Sequence, residues 1–136
     1  MRVGSAGPHV KWAYIHHPTN GETTVADVIQ DSGTRVNLIH PNVVQLCDLV
    51  RKQTARISFK TTAGQVFECD EWVEVTWIGK PGRSGKDMFY VAPDESPINL
   101  LVGRQFLEGN EGVFMDEHPP EPTLVNVQPK ETVSDN

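Results

Sequence analysis

The sequence predicts a small, mainly antiparallel β domain with one or two short helices. Three observations lead there. Short runs rich in Val, Ile, Thr and aromatic residues alternate apolar and polar side chains, the period of a half-buried strand. Turn signals such as Pro18-Thr19-Asn20-Gly21 part these runs at short intervals. One stretch alone, opening at Pro41, keeps helical spacing beyond a single turn. At 136 residues the chain is expected to form one domain with one modest core.

The elements follow in order. In His9 to His17, Val10, Trp12 and Tyr14 alternate with Lys11 and Ala13, which marks a strand. After the turn, Thr23 to Gln30 returns as a second strand, so the two form a hairpin. Arg35 to Ile39 is a third. Pro41 opens a short helix at its first position. Val43, Leu46, Cys47 and Val50 share one helical face, and Arg51 and Lys52 sit in its last turn, where cations suit the helix dipole. Ile57, Phe59 and Thr61 alternate as a strand that breaks at Thr61 to Gly64. Val66 to Ile78 resumes, with Val73, Val75 and Trp77 on one face. Gly79 to Asp87 reads as a flexible loop with three glycines and a proline. Met88 to Val91, Asn99 to Val102 and Val113 to Met115 are short strands, and Arg104 to Glu108 is one helical turn. No internal repeat is long enough for a solenoid.

Charge and composition exclude several classes. The net charge of -6 disfavours broad binding to nucleic acid or to an anionic membrane. No apolar run reaches the roughly 18 residues of a transmembrane helix, and the first residues hold no apolar signal core. The expectation is therefore a cytoplasmic protein. Cys47 and Cys69 fit no zinc spacing and are too few for a disulfide framework, so both read as buried thiols. The five histidines show no metal-ligand spacing. No metal and no cofactor are expected. Three cations at Lys80, Arg83 and Lys86 read as a solvated loop, and Trp12, Trp72 and Trp77 as packing residues.

Asp31 needs a reason. It sits with Ser32, Gly33 and Thr34 between Val28-Ile29 and Val36 to Ile39. A carboxylate there is costly to desolvate unless it is paired or hydrogen-bonded. On local sequence alone it reads equally as a turn Asp accepting nearby backbone amides. Two later segments bear on the choice. One is a strand, a glycine-containing tip at Thr62-Ala63-Gly64-Gln65, and a returning strand. The other is Asn99-Leu100-Leu101-Val102-Gly103-Arg104-Gln105-Phe106-Leu107.

In that order and spacing, the three segments resemble the retropepsins, the retroviral and retrotransposon aspartic proteases and their cellular relatives. The resemblance covers residues 10–116, with 1–9 a flexible leader and 117–136 a Pro-rich acidic tail or linker. It implies a small closed β-barrel and an aspartic endopeptidase without cofactor. Asp31 would be the catalytic carboxylate. Ser32 would hydrogen-bond across to its twin, and Gly33 would offer its N–H to the carboxylate, with Thr34 completing the loop. Thr62, Ala63 and Gly64 would lie at the tip of a flap that closes over substrate. Leu101, Val102 and Gly103 would pack beneath the active-site loop, with Arg104 completing that support.

Peptide hydrolysis by carboxylates needs two of them sharing a proton. Asp27, Asp48, Asp70, Asp87 and Asp94 are not followed by Ser/Thr-Gly, so one chain supplies half a dyad. A symmetric homodimer supplies the rest, with Asp31 from each copy meeting on the two-fold axis. The expected partners are thus a second copy and an extended peptide or polyprotein, and the resemblance implies processing of a retroelement polyprotein that includes the chain. Three positions depart from the family pattern. Gln30 replaces an apolar residue, Gln105 replaces Asp or Asn, and Arg35 stands where retroviral enzymes often carry an acid that pairs with the arginine of the Gly-Arg motif. They motivate an alternative: the same fold as a catalytically inactive dimerisation or peptide-binding module.

Overall fold

The computed structural model describes residues 10–121; the expected leader at 1–9 and the tail beyond 121 lie outside the described residues. Seven strands and two short helices follow one another along the chain. They are β1 (Val10–His16), β2 (Thr23–Gln30), β3 (Leu38–Ile39), α1 (Pro41–Leu46), β4 (Lys52–Lys60), β5 (Val66–Ile78), β6 (Ser84–Val91), β7 (Leu100–Val102) and α2 (Arg104–Gly109).

Six strands close a ring in the order β1-β2-β7-β3-β6-β5, because β5 pairs back onto β1 at Tyr14↔Ile78 and Ile15↔Trp77. Closure leaves β4 outside the ring, paired with the first half of β5 from Lys60↔Val66 to Lys52↔Trp72. The ring is mainly antiparallel, as the alternating runs predict. The exceptions are the short parallel pairs β2 with β7 and β3 with β6. The long hairpin β4–β5 therefore projects from the barrel as an arm, with residues 61–65 at its tip.

Two apolar clusters fill the structure. The larger holds Ile15, Val28, Val75, Trp77, Leu100 and Phe106; the smaller holds Leu38, Phe59, Phe67, Cys69 and Leu101. β7 stands between them, with Leu100 and Val102 in one cluster and Leu101 in the other. A strand buried on both faces reads as a continuous apolar run, which is the pattern of this segment.

Several expected elements change in detail. On β1 the buried residues are Ala13 and Ile15, both 0% exposed, while Val10, Trp12 and Tyr14 face outward. That outer face is covered by the chain's own later residues. Trp12 bridges Met115 and packs on His118, and the Tyr14 hydroxyl donates to the Pro120 carbonyl. The expected strand at Val113 to Met115 is that single bridge. Residues 31–37 form a turn, so β3 is shorter than expected.

The helix at Pro41 ends earlier than its apolar spacing suggests. His40 caps it, its Nδ1 accepting the Asn42 N–H at 3.0 Å. Asp48 then takes a left-handed φ of 56° and turns the chain away. Leu46 and Val50 are consequently exposed, and Val44 and Leu49 are buried in their place. Arg51 lies past the helix and pairs with Glu71 at 2.9 Å, and Lys52 starts β4. The glycine-rich loop is also shorter than expected, since β6 begins at Ser84. Gly85 lies flat against the Trp77 indole, where a Cβ would come within 2.7 Å of the ring. Small residues there let the strand cross an aromatic face. Both cysteines are buried.

Candidate active site

The site is built on the turn that leaves β2. Asp31 continues the parallel pairing of β2 with β7, donating its N–H to the Val102 carbonyl at 3.0 Å. The chain then turns sharply, with the Thr34 N–H donating to the Asp31 carbonyl at 3.1 Å. This places the Asp31 carboxylate at the open end of the strand pair, beneath the tip of the β4–β5 hairpin.

Four donors converge on that carboxylate. The Gly33 N–H reaches Oδ1 at 2.9 Å and the Thr34 hydroxyl reaches Oδ2 at 3.0 Å. From the hairpin tip, the Thr62 N–H reaches Oδ2 at 3.0 Å and the Thr62 hydroxyl donates to Oδ1. Partial burial alone would raise the Asp31 pKa. The Thr62 hydroxyl and N–H, the Thr34 hydroxyl and the Gly33 N–H outweigh it and hold the carboxyl below its ordinary range. A carboxylate that accepts several N–H and O–H bonds is favoured in its charged form, which is how the turn tolerates a charge among apolar strands.

Gly33 lies in close approach to the hairpin tip: a Cβ there would meet the Thr62 hydroxyl oxygen. Thr34 is 1% exposed, so its hydroxyl is locked toward Asp31. Ser32 is exposed and lines an open cleft with Gln30, Lys11, Leu107 and Phe114 on the outer side of the turn. The hairpin tip is a tight turn. Thr61 donates its N–H to the Gln65 carbonyl and Gly64 donates to the Thr61 carbonyl, each at 2.9 Å. Ala63 and Gly64 form the exposed part of the turn, Gly64 with a φ of 88° that suits glycine. Only Thr62 of the three reaches Asp31 among the described hydrogen bonds.

The segment from Leu101 to Arg104 lies under the turn. Leu101 and Val102 are buried in the two clusters. Gly103 packs directly on the backbone of residues 34–36, where a Cβ would lie 2.5 Å from the Val36 carbonyl oxygen. The Arg104 N–H donates to the Thr34 carbonyl at 2.7 Å. Arg104 and Arg35 are both exposed, and neither guanidinium joins a salt bridge among the described residues.

Asn37 is a site residue that the motifs do not disclose. Its Oδ1 accepts the Gly103 N–H at 2.9 Å and its Nδ2 donates to the Met88 carbonyl at 3.2 Å. It ties the turn to β6 and to the Gly103 segment, a link that exists only after folding. Among the described residues no group of three or more His, Cys, Asp or Glu side chains is placed to hold a metal ion.

No protein-family model matches the chain, and no curated protein sequence does. A solved structure does match in shape: the EIAV protease complexed with the inhibitor HBY-793. It shares 20% sequence identity over 80% of this chain and 93% of its own, with a TM-score of 0.55. The ring of strands with one projecting hairpin is the architecture that the resemblance of the three sequence segments implies. The chain therefore has the retropepsin-like, aspartic protease fold.

Proposed function

We propose that the chain is an aspartic endopeptidase that acts as a homodimer. Asp31 from each copy would meet on a two-fold axis and share one proton, since like charges about 3 Å apart cannot both stay ionised. One carboxyl then acts as base toward a water, and the other donates a hydrogen bond to the scissile carbonyl. No covalent enzyme intermediate forms. The β4–β5 hairpin would pin an extended peptide in the cleft by strand addition.

One observation carries this proposal. In a retropepsin-like fold, the sole Asp-Ser-Gly-Thr turn holds its carboxylate beneath the tip of the projecting hairpin. The half-buried Gln30 and the exposed Ser32, which line an open cleft, support a second copy on that side. The EIAV protease is described in complex with an inhibitor, which fits a ligand-binding role for this fold. Ser32 would then bond to its twin, and the segment Leu101 to Arg104 would keep the turn in place. A retroelement polyprotein as substrate, an intracellular setting and a linker role for the residues after 116 rest on analogy of fold.

A second reading has its own observation. Arg35 and Arg104 stand exposed without a salt bridge among the described residues, so the acid-arginine pair of retroviral relatives is missing beside the turn. That favours a peptide-binding or dimerisation module without turnover. Cleavage of a peptide library at pH 4 to 6, its inhibition by pepstatin and its loss in Asp31→Asn separate the two. Cleavage that survives Asp31→Asn refutes the protease mechanism. A wild-type chain that dimerises and binds peptides without cleaving them establishes the module.

A further inference from the structure

We propose that Thr62 is an intramolecular latch: in the single chain it occupies the Asp31 carboxylate from above, and it must release before a second copy can complete the site. The contact itself does not depend on the dimeric reading; its consequence for assembly does.

The geometry has three parts. First, both oxygens of the carboxylate receive Thr62, Oδ2 from its N–H at 3.0 Å and Oδ1 from its hydroxyl. Second, the tip leaves no gap over the turn, since a Cβ on Gly33 would meet the Thr62 hydroxyl oxygen. Third, the hairpin is held down by more than its tip. Phe59 and Phe67, an opposed pair across β4 and β5, are buried against the cluster of Leu38 and Leu101 beneath the turn. Thr61 is buried at the junction and its hydroxyl accepts the Gln65 N–H, so Thr62 is presented by a preformed turn.

This arrangement satisfies a lone charge and conflicts with a shared one. A single chain has no second Asp-Ser-Gly turn, so its carboxylate must find donors within the chain. Thr62 supplies two of the four. In a dyad, one of the two carboxyls must take up a proton and turn toward its twin. Thr62 stabilises the ionised form and fills the space above it, so it opposes that step. The hairpin has a place to give: the β4–β5 register shifts between Gln53 and Ile57, where regular pairing is interrupted. Opening there would lift the tip while the pairing from Ile57 to Lys60 stays intact.

The test compares wild type, Thr62→Val and Thr62→Ser in the full chain. Sedimentation over a concentration series reads assembly, and carbon-13 NMR of the Asp31 carboxyl in dilute protein reads the contact. Thr62→Val keeps the shape and removes the hydroxyl donor; Thr62→Ser retains it. The expected result is dimerisation at about a hundredfold lower concentration for the valine variant, the scale of one hydrogen bond to a charged group lost from each of the two chains. Its Asp31 should titrate at higher pH than wild type, and the serine variant should match wild type in both. An unchanged Asp31 titration in Thr62→Val, or a serine variant that behaves like the valine one, overturns the latch. If Asp31 responds to Thr62→Val while every variant stays monomeric at all concentrations, the contact stands, and the dimeric reading and the latch's role in assembly both fall.

Discussion

Gly103→Ala tests whether the turn is held from beneath. The backbone at Gly103 has φ -100°, which any residue adopts, so the substitution costs nothing conformationally. The cost is steric. An added Cβ would meet the Thr34 carbonyl oxygen, lie 2.5 Å from the Val36 carbonyl oxygen and 2.9 Å from the Arg35 carbonyl carbon. All three are backbone atoms, and the Thr34 carbonyl is tied by the Arg104 N–H at 2.7 Å. Relief requires parting the two segments. Overpacking of this kind costs about 1–3 kcal/mol. Losing the Arg104 bond adds roughly 1 kcal/mol. The sum is about 3 kcal/mol, which lowers Tm by roughly 10 °C in a domain of this size.

Gly33→Ala is the control. Its Cβ would meet the Thr62 hydroxyl, the end of an exposed side chain that can rotate away. The expected loss is one hydrogen bond to a charged group, about 1.5 kcal/mol. Urea unfolding of both variants, followed by tryptophan fluorescence, gives the two values. A Gly103→Ala variant within 1 kcal/mol of wild type, or one no worse than Gly33→Ala, would refute the support assigned to this segment.

Other outcomes follow from the same packing. Phe106→Ala should cost about 3–5 kcal/mol, because a buried ring is lost from a cluster with Trp77 and Phe114; equilibrium unfolding measures it. Asp31 is held below its ordinary range, so its contribution to stability is present above about pH 4 and is lost as pH falls through the folded value. Wild type and Asp31→Asn, unfolded in dilute protein from pH 6 to 2, should therefore converge toward the acid end. Convergence on raising the pH would contradict the hydrogen-bond account. Burial, with the Asp70 charge behind it, pushes the Cys69 thiol up to about 11. Iodoacetamide at pH 8 should leave the folded protein unmodified and label both cysteines in urea.

The strands of the ring were largely legible because their period is local. Val73, Val75 and Trp77 alternate in sequence and share the core face in the structure. The short helix at Pro41 was legible in its start, because proline at the first helical position is a local signal; the His40 cap appeared only in the structure. Its end was not, because Asp48 turns left-handed to bring the chain into β4, and no local apolar spacing reports that. The outward face of β1 misled for a related reason. Trp12 and Tyr14 look like core residues by size, yet residues 115–120 cover them from outside while small Ala13 fits the tight interior.

The sequence by itself determined the class of fold and the single acidic turn, since Asp31-Ser32-Gly33-Thr34, the glycine-bearing tip and the Gly-Arg segment are each short and contiguous. Tertiary structure alone decided how they meet. It set Thr62 on both oxygens of Asp31, Gly103 against the backbone of residues 34–36, and Asn37 between β6 and the turn. Those contacts join residues tens of positions apart, and only closure of the ring fixes their distances.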